Sequence, residues 1–173
     1  ASNRLSTQMK ATGEVMSVGR TLEESLLKGI RSLEVGAYHL FSAKAAAMSD
    51  GELLTYIRTA TDDRLFMIAE LLRRETAEET IVSLTGIDAF FISKVAHIVE
   101  LEAACAAAPG DAGILARCKK YGFCDRAVAK LWGWTEDDVR ALRQKKRILP
   151  VYKMIDSCAA EFDAYIPYFY STY

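Results

Sequence analysis

The sequence is short of the residues that build most small active sites and metal centres. It has only two histidines, His39 and His97, and they lie far apart along the chain. The four cysteines have spacings that match no zinc-binding pattern. They are Cys105, Cys118, Cys124 and Cys158. No GxxxxGK[ST] or GxGxxG segment is present to cradle phosphates. We therefore expect reduced, mostly buried thiols and no metal site.

An excess of one charge and a long apolar run are also missing. The chain has 22 lysines and arginines against 23 acids, a formal net charge of −1, so it has no overall basic field to hold nucleic acid. No apolar run approaches the roughly 18–20 residues that cross a bilayer. The opening ASNRLSTQMK contains no apolar segment of the kind found in secretory signals, so we expect a cytoplasmic protein.

Proline is scarce, and signals for helices are frequent. Three prolines occur in 173 residues, of which 51% are hydrophobic. Four capping boxes are predicted: Thr21 with Glu24, Ser49 with Glu52, Thr76 with Glu79, and Thr135 with Asp138. The segment DAFFISKVAHIVELEAACAAA predicts a helix of about five turns, which Pro109 and Gly110 end. The pattern therefore predicts an all-α fold, an irregular domain of about seven or eight helices.

The two ends of the chain differ from this helical middle. The first twenty residues include Gly13 and Gly19 and have poor helical periodicity. After Pro150 the chain is rich in β-branched and aromatic residues and lacks helix caps. The last ten positions hold Tyr165, Tyr168, Phe169, Tyr170 and Tyr173. Because chain ends are usually polar and frayed, we expect two non-helical arms whose aromatic side chains pack against something.

One segment has the outline of a DNA-binding helix-turn-helix. Residues 124–147, from Cys124 to Arg147, predict a helix, a short glycine turn and a second helix. The second helix would present Glu136, Asp137 and Asp138 to the bases, and phosphates repel carboxylates. We therefore favour a packing motif and keep DNA binding as the alternative function.

The candidates for a catalytic nucleophile or base are weak. Cys158 lies near Asp156 and Glu161, whose charges would raise the pKa of a thiol and oppose formation of a thiolate. A buried cysteine is the simpler interpretation, with a small thiol enzyme as the alternative. His97 lies in an apolar helix, which favours a place at the edge of the core over catalysis. The residues taken singly thus predict no catalytic, cofactor-binding or metal-binding site.

Longer segments, taken in order, resemble one family. QMKATGEVMSVGRT is similar to a Met-Lys-Ser/Ala-x-Gly-Glu-Val-Met-x-x-Gly-Arg-Thr segment, and LTGIDAFF to Leu-Thr-x-Ile-Asp-x-Trp-Phe, with Phe90 at the usual tryptophan. GFCDRAVAK resembles Gly-Phe-Ser/Ala-Asp-x-x-Ile/Leu-Ala-Lys. PVYKMIDSCAAEF and the later YSTY resemble Pro-Val-Tyr-Lys-x-Val-Asp-Thr-Cys-Ala-Ala-Glu-Phe followed by Tyr-Ser-Thr-Tyr. All four belong to the carbamoyl phosphate synthetase large subunit. The resemblance is collinear over essentially the whole chain and is poorest over SAKAAAMSDGELLTYIRTATDD.

The resemblance implies a two-part piece of a larger enzyme. Residues 1–34 would be the C-terminal tail of the first ATP-grasp (carboxyphosphate) half. Residues 35–173 would be the helical oligomerisation domain, whose end leads into the second synthetase half. The piece would be a non-catalytic connector and oligomerisation domain. The parent would be an ATP-dependent ligase that makes carbamoyl phosphate from bicarbonate, glutamine-derived ammonia and two ATP.

The same resemblance implies partners and cofactors. ATP and magnesium would bind the parent outside this stretch, so no cofactor is implied here. The partners would be further copies of the chain, its flanking synthetase halves and a glutamine amidotransferase small subunit, with no nucleic acid or membrane. The parent would be allosteric and cytoplasmic and would serve pyrimidine or arginine biosynthesis. The aromatic tail would be an interior segment of the longer chain.

One helix offers a candidate subunit contact. The capped segment after Ser49 carries Leu53, Leu54 and Ile57, more apolar side chain than a short peripheral helix needs. These residues would form either a contact between subunits or part of the ordinary core, and the sequence leaves both interpretations open.

Overall fold

The computed structural model describes residues 4–8, 15–33, 35–155 and 168–173, and nine α-helices and two β-strands lie within those ranges. The helices are α1 (Leu22–Ser32), α2 (Ala43–Ala47), α3 (Asp50–Tyr56), α4 (Arg64–Arg73), α5 (Glu78–Thr85), α6 (Ala89–Ala107), α7 (Ala112–Lys120), α8 (Asp125–Trp132) and α9 (Glu136–Lys145). The strands are β1 (Val151–Ile155) and β2 (Tyr168–Thr172). The predicted helical fold is confirmed, with one helix more than the seven or eight expected.

The additional helix is α2, a single alanine-rich turn and a half. Its N-cap Ser42 accepts a hydrogen bond from the Ala45 N–H at 3.4 Å. The Arg74 guanidinium donates to the carbonyl oxygens of Ala46 and Met48 at 3.1 and 2.8 Å, which satisfies acceptors that a helix end leaves unpaired. A run of alanines has no apolar stripe, so periodicity alone could not predict this helix.

The helix starts follow the predicted caps in most cases. Two predicted capping boxes are complete, Ser49 with Glu52 and Thr135 with Asp138. The box predicted for Thr76 and Glu79 is wrong. Helix α5 begins at Glu78, one residue later than that box requires, and its N-cap is Ala77, whose side chain cannot accept a hydrogen bond.

Helix α6 is the axis of the fold. It packs against α1, α4, α5, α7 and α8. A helix with neighbours on several sides needs apolar residues around much of its circumference. Its buried apolar residues are Ile92, Val95, Ala96, Ile98, Val99, Leu101 and Cys105. It ends at Ala107, just before the predicted stop at Pro109 and Gly110.

The described part of the C-terminal arm is a β-hairpin. Strands β1 and β2 pair in antiparallel fashion, with Val151 opposite Thr172 and Ile155 opposite Tyr168. Side chains on a strand alternate between faces, so Tyr170 and Thr172 lie on the inner face, toward α1, and Phe169 and Ser171 lie on the opposite, outer face. Thr172, on the inner face, is only 1% exposed. The non-helical arm was predicted, but the pairing of its strands was not.

The described part of the N-terminal arm is also non-helical, as predicted. The Leu5 N–H donates to the carbonyl oxygen of Ala60 at 2.7 Å, and Arg4 forms an isolated antiparallel bridge with Thr61. Further along, the Ser17 and Ser25 hydroxyls each donate to the other residue's carbonyl oxygen, at 2.7 and 3.0 Å. The arm therefore reaches the helical body at the α3–α4 loop and again at α1.

Candidate interaction surfaces

A cluster centred on a buried carboxylate fixes the hairpin to α1. We call Glu24, Lys28 and Thr172 the hairpin anchor. The Thr172 hydroxyl donates to Glu24 Oε2 at 3.0 Å, and Lys28 Nζ lies 2.8 Å from Glu24 Oε1. Lys28 Nζ also donates to the carbonyl oxygens of Val18 and Ser171, at 2.9 and 2.5 Å. The anchor explains why Glu24 does not complete its predicted capping box. Its carboxylate accepts from the N–H of the preceding Arg20 and from the hairpin.

The last residue is held by a second cluster. The Tyr173 ring lies 4.8 Å from Lys119 Nζ and 5.6 Å from the Arg143 guanidinium carbon. Both cations pair with Asp125, at 2.8 and 3.0 Å. Burial alone would raise the pKa of Asp125, but Lys119 and Arg143 outweigh it and hold that pKa below its usual value. The aromatic tail therefore packs, at its final residue, on a buried ion-pair network.

The outward face of the hairpin is apolar. Tyr152, Met154 and Phe169 are exposed by 73%, 62% and 62%, and we call them the outer hairpin face. Met154 and Phe169 are directly opposite each other across the strands. A two-stranded sheet is marginally stable alone and gains stability by packing on further structure. An exposed apolar face on such a sheet is typical of an interaction surface.

A second exposed apolar surface lies at the start of α6. Phe90 and Phe91 are 55% and 50% exposed, and their rings meet edge to face with centroids 5.4 Å apart. Lys94 Nζ lies 5.3 Å from the centre of the Phe90 ring. We call the two rings the phenylalanine patch. Adjacent residues lie about 100° apart on a helix, and pairs such as Ile98 and Val99 are both buried on α6, so sequence spacing alone does not reveal that these two rings are exposed.

The predicted contact residues on α3 and at its end do not form one exposed surface. Leu53 and Ile57 are 0% exposed and belong to the core of the single chain. Leu54 is partly buried and packs against that core. The core interpretation of Leu53 and Ile57 therefore fits this structure, and a contact through Leu54 stays a prediction.

The helix-turn-helix outline is present as a packed pair. Gly133, with φ of 68°, ends α8, and α9 begins after the Thr135 cap. The pair is tied to α6 because the Trp132 indole donates to the carbonyl oxygen of Cys105 at 2.7 Å, and Val139 of α9 is fully buried. Asp138 accepts from the Thr135 hydroxyl and N–H at the start of α9. The favoured packing role fits these contacts, and no contact of the described residues speaks for DNA binding.

His97 is the partner of a buried carboxylate. Its Nδ1 lies 2.7 Å from Glu23 Oε1, and its ring meets the Tyr121 ring edge to face at 4.6 Å. Burial would raise the pKa of Glu23, but the hydrogen bond with His97 and the charge of Lys94 lower it overall. This arrangement fits the predicted place at the edge of the core.

The other sequence-predicted chemistry has little support in the described ranges. Cys105 and Cys118 are buried free thiols, and Cys158 lies outside the described residues. Among the described residues no group of three or more histidine, cysteine, aspartate or glutamate side chains could hold a metal ion. The part of the chain that the structure describes also contains no helix long and apolar enough to cross a membrane.

Residues 14–147 match a family model described as the carbamoyl-phosphate synthetase large chain, oligomerisation domain. The chain belongs to this family. The match includes all nine helices described above and stops before β1. In this oligomerisation domain, α1 packs against α6 within the matched body. The division of the chain at residues 34 and 35 stays a prediction.

The two exposed surfaces lie at different places relative to the matched oligomerisation domain. The phenylalanine patch lies inside the matched range, on the helix at the axis of the fold. The outer hairpin face lies beyond residue 147, on strands that the anchor ties to α1. Sequence reasoning identified the family but neither surface, because each depends on which way an apolar side chain points.

Proposed function

We propose that this chain is the non-catalytic connector and oligomerisation domain of the large subunit of glutamine-dependent carbamoyl phosphate synthetase. The observation that carries the proposal is the family match across the whole helical body. The parent is then an ATP-dependent ligase that makes carbamoyl phosphate from bicarbonate, glutamine-derived ammonia and two ATP. Its ATP and magnesium sites, and the residues that perform the chemistry, lie in the synthetase halves.

The connector role is supported by an ion-pair network that joins distant parts of the body. Arg73 on α4 pairs with Glu102 on α6 at 2.9 Å and with Glu70 on its own helix at 2.6 Å. It also donates to the carbonyl oxygen of Leu40 at 2.9 Å. Both carboxylates are mostly buried, and charge-assisted hydrogen bonds of this kind fix geometry. Such a body can hold two synthetase halves at a fixed separation.

Self-association is assigned to the phenylalanine patch. Aromatic rings bury a large area at low conformational cost, and the two rings form one continuous apolar surface. A twofold contact places the same patch of two subunits against each other, so one small apolar surface is used twice. Leu54 is kept as a second candidate contact, because it is only partly buried on α3.

The hairpin is assigned to contact within one chain. Its outer face would pack against the second synthetase half, which the resemblance places after the hairpin. The anchor to α1 would then pass the position of that half directly to the helical body. The remaining parts of the proposal rest on the family alone: a glutamine amidotransferase small subunit as partner, a cytoplasmic location, and an allosteric parent serving pyrimidine or arginine biosynthesis.

Light scattering across a range of protein concentrations tests self-association. We expect a mass that rises reversibly with concentration. Replacing Phe90→Ser together with Phe91→Ser should return the mass to that of a monomer, because the patch then has no apolar area to bury. Leu33→Ser with Val35→Ser is the matched control, since both side chains are exposed and lie elsewhere.

The outcomes separate the two candidate contacts. A control that dissociates as readily as the double phenylalanine variant would contradict the assignment to the patch. Leu54→Glu, compared with the exposed neighbour Thr55→Glu, tests α3 in the same way. If Leu54→Glu leaves both the fold and the mass unchanged, α3 makes no contact at that position. A strict monomer at the highest concentration would mean that this chain mainly spaces the two halves.

A further inference from the structure

An open groove separates the loop 36–41 from α8. Its volume is about 630 Å³, and small-molecule sites commonly have volumes of ~300–1,000 Å³. Tyr38 and Phe41 line it from the loop, and Arg126 and Lys130 line it from α8. Trp134, just after α8, also lines it. The groove is therefore large enough for a small organic molecule and is lined by rings and cations.

The two cations are positioned by the rings of the loop. The Arg126 guanidinium carbon lies 4.0 Å from the centre of the Tyr38 ring, and Lys130 Nζ lies 4.5 Å from the centre of the Phe41 ring. Residues four apart on a helix share a face, so both side chains extend from the same face of α8 and line the same groove. Contact with a ring face holds a cation without using its N–H donors.

These cations differ from the other arginines and lysines around the core. Arg73, Lys119 and Arg143 each pair with a carboxylate. Arg126 and Lys130 are exposed, and among the described residues neither has an ion pair or a side-chain hydrogen bond. Two positive charges that have no ion-pair partner among the described residues attract an anion, and a guanidinium can bind two oxygens of one anionic group.

The rest of the lining leaves the groove net positive. Glu136 is the one carboxylate among the described lining residues, against the two cations. His39 also lines the groove, and burial lowers its pKa, which favours the neutral ring. Trp134 offers an indole that meets Trp132 edge to face at 5.0 Å and is therefore held in place.

We propose that this groove binds a small molecule in which an aromatic ring carries a phosphate or carboxylate group. Arg126 and Lys130 bind the oxyanion, and the ring of the ligand lies against Trp134. The charge of the groove selects an anion, and its aromatic lining selects a planar group. This assignment does not depend on the self-association proposed above.

The test is a titration followed by two-dimensional ¹H–¹⁵N NMR of the whole chain. The chain has two tryptophans, so it gives two indole cross-peaks, and a Trp134→Phe variant assigns them. Phenyl phosphate is the probe, with phenol as the ring alone and inorganic phosphate as the anion alone. We expect phenyl phosphate to shift the cross-peaks of the Trp134 indole and of the α8 amides. Phenol and inorganic phosphate should each bind at least about tenfold more weakly.

Charge removal provides the matched comparison. Arg126→Gln with Lys130→Gln should weaken the binding of phenyl phosphate at least about tenfold, because charged hydrogen bonds are lost. Lys145→Gln with Lys146→Gln removes two exposed charges at the far end of α9 and should leave binding unchanged. The proposal is overturned by no shift at millimolar phenyl phosphate, by equal weakening in both double variants, or by inorganic phosphate or phenol binding as well as phenyl phosphate.

Discussion

At the scale of single residues, Gly122 lies at a close approach between α1 and the α7–α8 turn. Its φ is 96°, and a Cβ atom there would lie 2.7 Å from the Cα of Glu24. The Arg31 side chain donates to its carbonyl oxygen at 2.6 Å. Only glycine has both the backbone freedom and the small size that this contact requires.

We predict that Gly122→Ala destabilises the fold by at least about 2 kcal/mol, because it combines a strained φ with a backbone clash. Gly51→Ala is the control. Gly51 lies in α3 with nothing within 4 Å of its added Cβ, so alanine should stabilise by about 0.5–1 kcal/mol. Urea unfolding followed by circular dichroism measures both. Equal stability of the Gly122→Ala variant and the unmutated chain would show that α1 and the turn are not in contact.

Asp125 makes the stability depend on pH. Its pKa is held below the ordinary 3.8 by Lys119 and Arg143 despite its burial. A carboxyl whose folded pKa is depressed contributes stability above its unfolded pKa, and that contribution is lost as the pH falls through the folded value. The unmutated chain should therefore lose this stability below about pH 4.

We predict that Asp125→Asn costs about 3 kcal/mol at pH 7, since it leaves two cations near the core unpaired. The cost should shrink as the pH falls below 4, because protonation of Asp125 then weakens the same ion pairs in the unmutated chain. Asp137→Asn, which removes an exposed acid from α9, is the control. Urea unfolding at several pH values provides the comparison. If the free energy of unfolding of Asp125→Asn and that of the unmutated chain follow parallel curves against pH, the role of Asp125 is refuted.

At the scale of elements, the hairpin depends on α1 for its position. One buried hydrogen bond, from Thr172 to Glu24, joins residues 148 positions apart. The described residues leave the outer hairpin face uncovered, and the contacts of the inner face with the helices include the anchor and the Tyr173 ring. Local opening is easiest where few buried contacts hold an element.

We predict that Thr172→Val speeds amide hydrogen exchange in β1 and β2 at least about tenfold while leaving α6 unchanged, because Glu24 loses a buried partner. Ser171→Ala, on the same strand but exposed, should not change exchange, since only its backbone oxygen meets Lys28. Exchange measured by mass spectrometry resolves the two elements. Equal exchange in Thr172→Val and Ser171→Ala would mean that the anchor does not hold the hairpin.

At the scale of the whole molecule, self-association would couple assembly to stability. A subunit that binds its own folded copy is stabilised by mass action, and its melting temperature then rises with protein concentration. The phenylalanine patch lies on α6, the axis of the core, so an interface there directly stabilises the central helix.

We predict that the melting temperature rises by several degrees over a hundredfold range of protein concentration. The Phe90→Ser and Phe91→Ser double variant should melt at one temperature throughout that range. Leu33→Ser with Val35→Ser should keep the concentration dependence. Calorimetric scans at a fixed heating rate make the measurement. A melting temperature of the unmutated chain that does not change with protein concentration would contradict intrinsic assembly, whatever the variants do.

The sequence by itself determined every described helix except α2, most of the helix starts, and the family. These features are local. A serine, threonine or glycine at a helix end acts within one turn, as at Ser49, Thr135 and Gly133, and a family motif is read along the chain. Alanine carries no such pattern, so α2 was the helix that the sequence missed.

Only the tertiary structure decided which apolar residues are covered. Leu53 and Phe90 both lie on apolar helices in the sequence, yet one is fully buried and the other is half exposed. Burial depends on neighbours that arrive from distant parts of the chain, as does the partner of Glu24 on β2. The candidate surfaces follow from those long-range contacts, because an interface is the apolar area that the rest of the chain does not cover.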